Sequence, residues 1–274
     1  MPSTETVTST HMVDLANVGA VEVTIADRGR GRNFLLLHGG GGPQTVTGFA
    51  DLLAGAREAR VITPTHPGFG GTARPDALAT IGDLAALYVG LLDELGLSDV
   101  TVVGNSIGGW VAAEIASAGS ERVSGVVLVD AAGIEVPGHP VTDFFSLTMD
   151  QVAQRAYYNS DKFRIDPTTL PPAAQAAMAA NRTALAVYAG ASMSDPSLLA
   201  RLAEVALPVL VVWGEADQMV DQDYGRAYAS AIPGAQFVLL RGTGHLPQME
   251  TPDQLLPVVW DFAASPKMPG VRSF

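Results

Sequence analysis

The 274-residue sequence contains no cysteine. Without thiols the chain has no disulfides, no thiolate nucleophile and no thiolate metal ligands. Basic residues are also scarce, because 16 Lys and Arg stand against 28 Asp and Glu, a formal net charge of −12. Nucleic acids and anionic membranes attract basic surfaces, so this balance excludes both as partners. The lack of cysteine is compatible with a cytoplasmic location, which we expect.

Long apolar runs are missing as well. No run approaches the roughly 18 residues that a membrane-spanning helix needs, so we expect no membrane span. Residues 1–10 are rich in Ser and Thr and lack the basic start and apolar stretch of a secretory signal. We expect residues 1–12 to form a flexible tail. Nothing in the sequence indicates an oligomeric state.

Apolar segments alternate with amphipathic ones through most of the chain, which is 47% hydrophobic. This pattern predicts strands at residues 13–27, 33–37, 61–63, 100–103, 123–129, 207–213 and 235–240, with helices between most of them. Such alternation is typical of right-handed βαβ crossovers and of a mostly parallel sheet with helices on both faces. Between residues 134 and 205 helical spacing replaces the strands. We therefore predict an α/β fold with a core of residues 13–133 and 206–274 and a helical cap of residues 134–205.

The motif Gly104-Asn105-Ser106-Ile107-Gly108 lies between a β-branched run and small residues typical of a helix. A serine in such a strand–turn–helix sits on strained backbone above the sheet edge, with its hydroxyl exposed. A five-residue match also arises by chance in a chain with 29 glycines. The flanking strand and helix favour the functional interpretation, in which the Ile107 amide stabilises an oxyanion.

A serine hydroxyl needs a neighbouring base at neutral pH, and the chain has five histidines. His245 follows the last predicted strand, in a loop at the sheet edge where the serine turn also lies. Asp217 follows the preceding strand at the same edge, and we predict that it orients His245. Asp130, at the end of the strand after the serine helix, is the alternative acid. If it is not the acid, it only caps or solvates the chain.

A glycine run follows His38 and can present backbone amides to an anion. A phosphate-binding loop is the alternative, but the Lys-Ser/Thr of a P-loop and a suitable G-x-G-x-x-G spacing are absent. No spacing of His, Asp and Glu resembles a metal site. We expect the protein to need neither a metal nor another cofactor.

Five motifs in this order resemble the α/β-hydrolase superfamily, in its capped, esterase- and lactonase-like branch. The motifs are His38–Gly41, Pro67–Gly70, Gly104–Gly108, Trp213-Gly-x-x-Asp217, and Gly244-His245 followed by Glu250-Thr-Pro252. The resemblance extends from about Val13 to Phe262. It implies the α/β-hydrolase fold and hydrolysis of a small carboxylic ester or lactone through an acyl-enzyme.

The resemblance also assigns roles. It implies Ser106 as nucleophile, His245 as base, Asp217 as orienting acid, and Gly40 with Ile107 as the oxyanion amides, with Gly41 in place of Gly40 in the other register of the glycine run. The substrate is expected to be a small, apolar molecule, because the cap is rich in Ala and carries Phe144, Phe145, Tyr157 and Tyr158. The alternative is that these aromatic residues form the cap's own core.

Three groups of alternatives exist among such proteins. Epoxide hydrolases and haloalkane dehalogenases carry Asp at the position of Ser106 and are disfavoured. Carbon–carbon hydrolases of meta-cleavage products share the elbow and the glycine loop, but they usually carry Trp where Leu246 stands. They also use a cap arginine, for which Arg155, Arg164 and Arg182 are the candidates. A ligand-binding, non-hydrolytic protein on the same fold is the third alternative.

Overall fold

A computed structural model describes residues 5–265. The described strands are β1 (Thr6–Leu15), β2 (Gly19–Gly29), β3 (Arg32–Leu37), β4 (Ala59–Pro64), β5 (Val100–Asn105), β6 (Val123–Val129), β7 (Val209–Gly214) and β8 (Gln236–Leu240). The described helices are α1 (Gln44–Ala56), α2 (Ile81–Glu94), α3 (Ile107–Ala118), α4 (Met149–Ala156), α5 (Ser160–Phe163), α6 (Pro172–Ala189), α7 (Leu198–Leu202), α8 (Gln222–Ala231), α9 (Pro247–Glu250) and α10 (Pro252–Ala264).

The eight strands form one sheet in the order β1-β2-β4-β3-β5-β6-β7-β8. Strands β3 to β8 run parallel to one another. Strand β2 pairs antiparallel with both β1 and β4. This confirms the predicted α/β class with a mostly parallel sheet. The central strands are continuous apolar runs because both faces of a parallel sheet are covered.

Two apolar cores lie on opposite faces of the sheet. One contains the buried side of α2, α3 and α8, and the other contains that of α1 and α10. Because strands β3 to β8 run in the same direction, their carboxyl ends lie at one edge of the sheet, and the loops that follow them are brought together there.

Local signals set the ends of the helices that matter for this edge. The Thr80 hydroxyl accepts a hydrogen bond from the Asp83 amide, and the Asp83 carboxylate accepts one from the Thr80 amide, so α2 begins with a capping box. Helix α3 ends at Gly119, whose φ of 67° is the left-handed conformation that glycine adopts at little cost.

The chain between β6 and β7 contains helices α4 to α7 and two short 3-10 turns (Phe144–Ser146 and Pro167–Thr169). We call residues 134–205 the insertion. Among the helices of residues 5–265, none is long and apolar enough to cross a membrane.

The prediction of a flexible tail at residues 1–12 is wrong for residues 6–12, which belong to β1. This strand pairs with β2 along its whole length, from Thr6 opposite Arg28 to Leu15 opposite Gly19. Val13 of β1 packs against Gly90 of α2 so closely that a Cβ on the glycine would collide with the valine side chain. Residues 1–4 and 266–274 lie outside the described part of the chain.

This packing makes a stability prediction. Val13→Ala should lower the free energy of unfolding by about 2 kcal/mol, because it removes two buried methyl groups and leaves a cavity. Val7→Ala is the matched control in the same strand, since Val7 is 57% exposed; it should change stability by less than about 0.5 kcal/mol. Urea unfolding measures both, and equal effects would contradict the packed strand.

Candidate active site

Ser106 stands between β5 and α3 with φ 57° and ψ −120°, a conformation that L-residues rarely adopt. A Cβ on Gly104 would overlap the Gly108 carbonyl, and a Cβ on Gly108 would overlap the carbonyls of Leu37 and His38. Both motif glycines are therefore required by close backbone contacts. The turn brings Ser106 and Ile107 to the wall of a cavity at the carboxyl edge of the sheet.

His245 and Asp217, in two loops that follow neighbouring strands, lie in contact at the same edge. The distance between His245 Nδ1 and Asp217 Oδ2 is 2.7 Å, and both side chains are almost fully buried. Asp217 Oδ1 accepts hydrogen bonds from the amides of Met219 (2.7 Å) and Val220 (3.1 Å). Since the carboxylate accepts the Nδ1 proton, Nε2 is the ring nitrogen left to accept a proton. The ring lines the cavity that Ser106 also lines.

A buried amide network fixes the backbone of His245, and the sequence analysis missed it. Asn105 Nδ2 donates to the carbonyls of His245 (2.9 Å) and Val129 (3.2 Å). Gln248 Nε2 donates to Asn105 Oδ1 at 3.0 Å. The His245 amide donates to the Ala156 carbonyl at 2.7 Å, which ties the loop to the insertion. The only sequence signal was the asparagine directly before Ser106.

Asp130 is neither solvated nor a helix cap, so that expectation is wrong. The residue is fully buried, and its Oδ1 accepts from the Gly214 amide at 2.8 Å. Burial, followed by the negative charge of Asp217, raises the pKa of the Asp130 carboxyl well above its usual range. Among the described residues, Asp130, Asp217 and His245 each place a ligand atom within 4.8 Å of the others, a spacing that can hold a metal ion. The 2.7 Å hydrogen bond already accounts for the contact between the histidine and Asp217.

The glycine run is held from below by two buried histidines. The His66 amide donates to His38 Nε2 (3.1 Å), so the proton of His38 is on Nδ1, which donates to the Gly39 carbonyl (2.8 Å). His66 Nε2 donates to the His38 carbonyl (2.9 Å), and its Nδ1 accepts from the Tyr88 hydroxyl. Both rings are neutral in this arrangement. Burial lowers the pKa of His66 to about 4 and that of His38 well below its usual range.

The cavity has a volume of about 220 Å³, and Gly40 and Gly41 line it together with Ser106, Ile107 and His245. Its remaining wall is mainly apolar. Within residues 5–265, five methionines contribute to it: Met149, Met178, Met193, Met219 and Met249. Among the described residues, no lysine or arginine lines the cavity.

Some of the aromatic residues that the sequence suggests for the pocket line the cavity, whereas the three candidate arginines of the insertion do not. Phe144 and Tyr157 line the cavity, whereas Phe145 packs edge-on against Phe144 and Tyr158 is exposed. Arg164 is paired with Asp150 at 2.8 Å, and Arg155 is exposed. Arg182 donates to the carbonyls of Phe144 and Phe145. None of the three arginines lines the cavity.

The neutral histidine pair predicts an acid-sensitive fold. In the unfolded chain His66 has its ordinary pKa of 6.5, whereas in the folded chain its pKa is about 4. Between these two pH values the unfolded chain therefore binds a proton that the folded chain does not bind. The contribution of His66 to the free energy of unfolding should therefore be fully present above pH 6.5. It should decrease by about 3 kcal/mol as the pH falls from 6.5 to 4. His66→Gln should flatten the dependence in urea titrations at several pH values. His139→Gln is the control, because a hydrogen bond to Asp221 raises the pKa of His139; a flattening there, or none in His66→Gln, would contradict this assignment.

Comparisons with known proteins agree with this architecture. The model of the alpha/beta hydrolase family matches residues 34–258. The 2-hydroxy-6-oxononadienedioate/2-hydroxy-6-oxononatrienedioate hydrolase of Paraburkholderia phymatum is 28% identical and covers 94% of this chain and 96% of its own. Lipase 3 of Moraxella sp. is 28% identical, over 82% of this chain and 75% of the lipase. The malate-bound structure of a thermophilic esterase from Thermogutta terrifontis superposes with a TM-score of 0.75 at 26% identity, covering 93% and 97%. The family match spans most of the sequence, and the chain belongs to the alpha/beta hydrolase family.

Proposed function

We propose that the protein is a serine hydrolase that cleaves a small carboxylic ester or lactone through an acyl-enzyme. Ser106 is the nucleophile, His245 the general base, and Asp217 the acid that orients it. The observation that carries the proposal is the 2.7 Å contact between His245 Nδ1 and Asp217 Oδ2, in a ring that lines the cavity beside Ser106. This contact fixes the tautomer in which Nε2 can take the serine proton.

The steps follow from these roles. Ser106 Oγ attacks the carbonyl carbon while its proton passes to His245 Nε2, and the carbonyl oxygen becomes an oxyanion. The Ile107 amide, in the first turn of α3, and the amide of Gly40 or Gly41 donate hydrogen bonds to that oxygen. Collapse expels the alcohol, which takes the proton from the imidazolium. A water molecule then repeats the sequence and releases the acid. No metal or other cofactor takes part.

The cavity favours a neutral, apolar substrate. Burying a carboxylate without a cationic partner costs several kcal/mol, and no lysine or arginine among the described residues lines this cavity. Methionine-rich walls adapt to alkyl chains of different shape. We propose that the insertion acts as a cap, since it supplies much of this wall.

Carbon–carbon bond hydrolysis is the second candidate, because relatives at 28% identity carry that kind of substrate in their names. The substrates named there are dioates, which bring two carboxylates. Leu246 in place of the usual Trp and the three arginines outside the cavity weigh against this activity. The presence of Ser106, Asp217 and His245 together weighs against a binding protein without turnover.

Two esters of equal chain length separate these candidates. We expect p-nitrophenyl hexanoate to be hydrolysed with a kcat/KM at least about 100-fold above that of mono-p-nitrophenyl adipate, which adds a terminal carboxylate. Ser106→Ala should lower the hexanoate rate by about 1,000-fold or more. Preference for the adipate would favour the carbon–carbon candidate. Absence of turnover by the unaltered protein would favour a binding protein.

The two buried aspartates give a second test. Asp217→Asn should lower kcat by about 100-fold or more, because the amide can stabilise the wrong tautomer of His245. Asp130→Asn should stay within about threefold, under 1 kcal/mol, because the isosteric amide keeps an oxygen that can accept from the Gly214 amide. Both rates are measured with p-nitrophenyl hexanoate. A large loss of kcat in Asp130→Asn, with nearly normal kcat in Asp217→Asn, would instead identify Asp130, at the end of β6, as the orienting acid.

A further inference from the structure

Helix α6 of the insertion lies directly on the glycine run. Its residues Asn181, Ala184, Leu185 and Tyr188 are buried and recur at the spacing of one helical face. A Cβ on Gly40 would lie 2.9 Å from Leu185 Cδ2. The Tyr188 hydroxyl donates to the Pro67 carbonyl at 3.0 Å. The insertion therefore contacts the loop whose amides the proposed mechanism uses.

Asn181 makes the polar part of this contact. Its Nδ2 donates to the Gly41 carbonyl at 3.0 Å, and its Oδ1 accepts from the Gly70 amide at 2.8 Å. The side chain is 4% exposed. Because one partner is an acceptor and the other a donor, only one orientation of the amide satisfies both. Neither a carboxylate nor an apolar side chain can replace it.

The peptide geometry connects these bonds to the proposed oxyanion amides. In a trans peptide the C=O and the following N–H are coplanar and point in opposite directions. His38 holds the Gly39 carbonyl and so sets the direction of the Gly40 amide. Asn181 holds the Gly41 carbonyl and so fixes the next anchored peptide, between Gly41 and Gly42. The Gly40–Gly41 peptide lies between the two anchors. Without Asn181 this flexible run loses its hydrogen bond to α6, and the Gly41 carbonyl keeps the donor from the exposed Gln44 side chain. The turn in which the Gly42 amide donates to the Gly39 carbonyl also remains.

We propose that Asn181 is a positioning residue for the oxyanion hole, through which the docking of α6 fixes the amides of Gly40 and Gly41. This inference rests on the proposed ester hydrolysis. The oxyanion exists in the tetrahedral intermediate and not in the bound ester. Loss of Asn181 should therefore lower kcat and leave KM nearly unchanged.

The test uses Asn181→Asp, which keeps the size but places an acceptor opposite the Gly41 carbonyl, and Asn181→Ala as a second variant. The control is Tyr188→Phe, which removes a hydrogen bond of α6 to Pro67 but none to the glycine run. With p-nitrophenyl hexanoate we expect kcat to fall roughly 10- to 100-fold in both Asn181 variants, less than for deleting an oxyanion donor outright, and to stay within about threefold in the control.

A readout specific to the oxyanion completes the test. The inhibition constant of an alkyl trifluoromethyl ketone, whose serine adduct carries an oxyanion, should rise in the Asn181 variants by about the same factor as kcat/KM falls. Thermal unfolding identifies a variant that does not fold, and the other variant then decides. An unchanged kcat, a rise in KM alone, an unchanged ketone constant, or an equal loss in Tyr188→Phe would overturn the inference. Absence of ester turnover in the unaltered protein would instead refute the proposed function.

Discussion

Close backbone packing around the turn at residues 104–108 is the constraint on which the rest of this edge depends. The φ of 57° at Ser106 costs about 1–3 kcal/mol and persists only where neighbours enforce it. Hydrogen bonds from its amide to the Val129 carbonyl and from the amides of Trp110 and Ala132 to its own carbonyl hold both sides of the residue. The two motif glycines allow the approach. A serine held in this way needs no backbone rearrangement to present its hydroxyl to the cavity.

The groups around Ser106 are held by the same means, which is fixed hydrogen bonds between different elements. The Asp217 carboxylate has partners for both oxygens, and Asn105 holds the backbone of His245. Asp130 adds a second buried carboxyl, whose pKa is raised by burial and by the charge of Asp217. Asn181 and His38 hold the glycine run from opposite sides. Preorganisation of this kind is what electrostatic stabilisation of a transition state requires, because little free energy is then spent on reorientation.

Much of the fold could be predicted because its signals are local. The buried strand Val123–Val129 has the predicted bounds, since a β-branched run is recognisable within a few residues. Strand β1 could not be predicted, because its Thr- and Ser-rich residues become a strand only through pairing with β2. Asn181 gave no signal in its Ala-rich helix, since its partner Gly41 is 140 residues away. The glycine register, Gly40 or Gly41, stays a prediction.

The central claim is that Ser106 forms a covalent intermediate, and one measurement tests it directly. An alkyl fluorophosphonate reacts with an activated serine in the same way as the acylation step. Intact-mass analysis after treatment should show a single phosphonyl adduct, and peptide mapping should place it on Ser106. The adduct should be absent from Ser106→Ala and strongly slowed in His245→Ala. No adduct on the unaltered protein, or an adduct on another residue, would contradict the account.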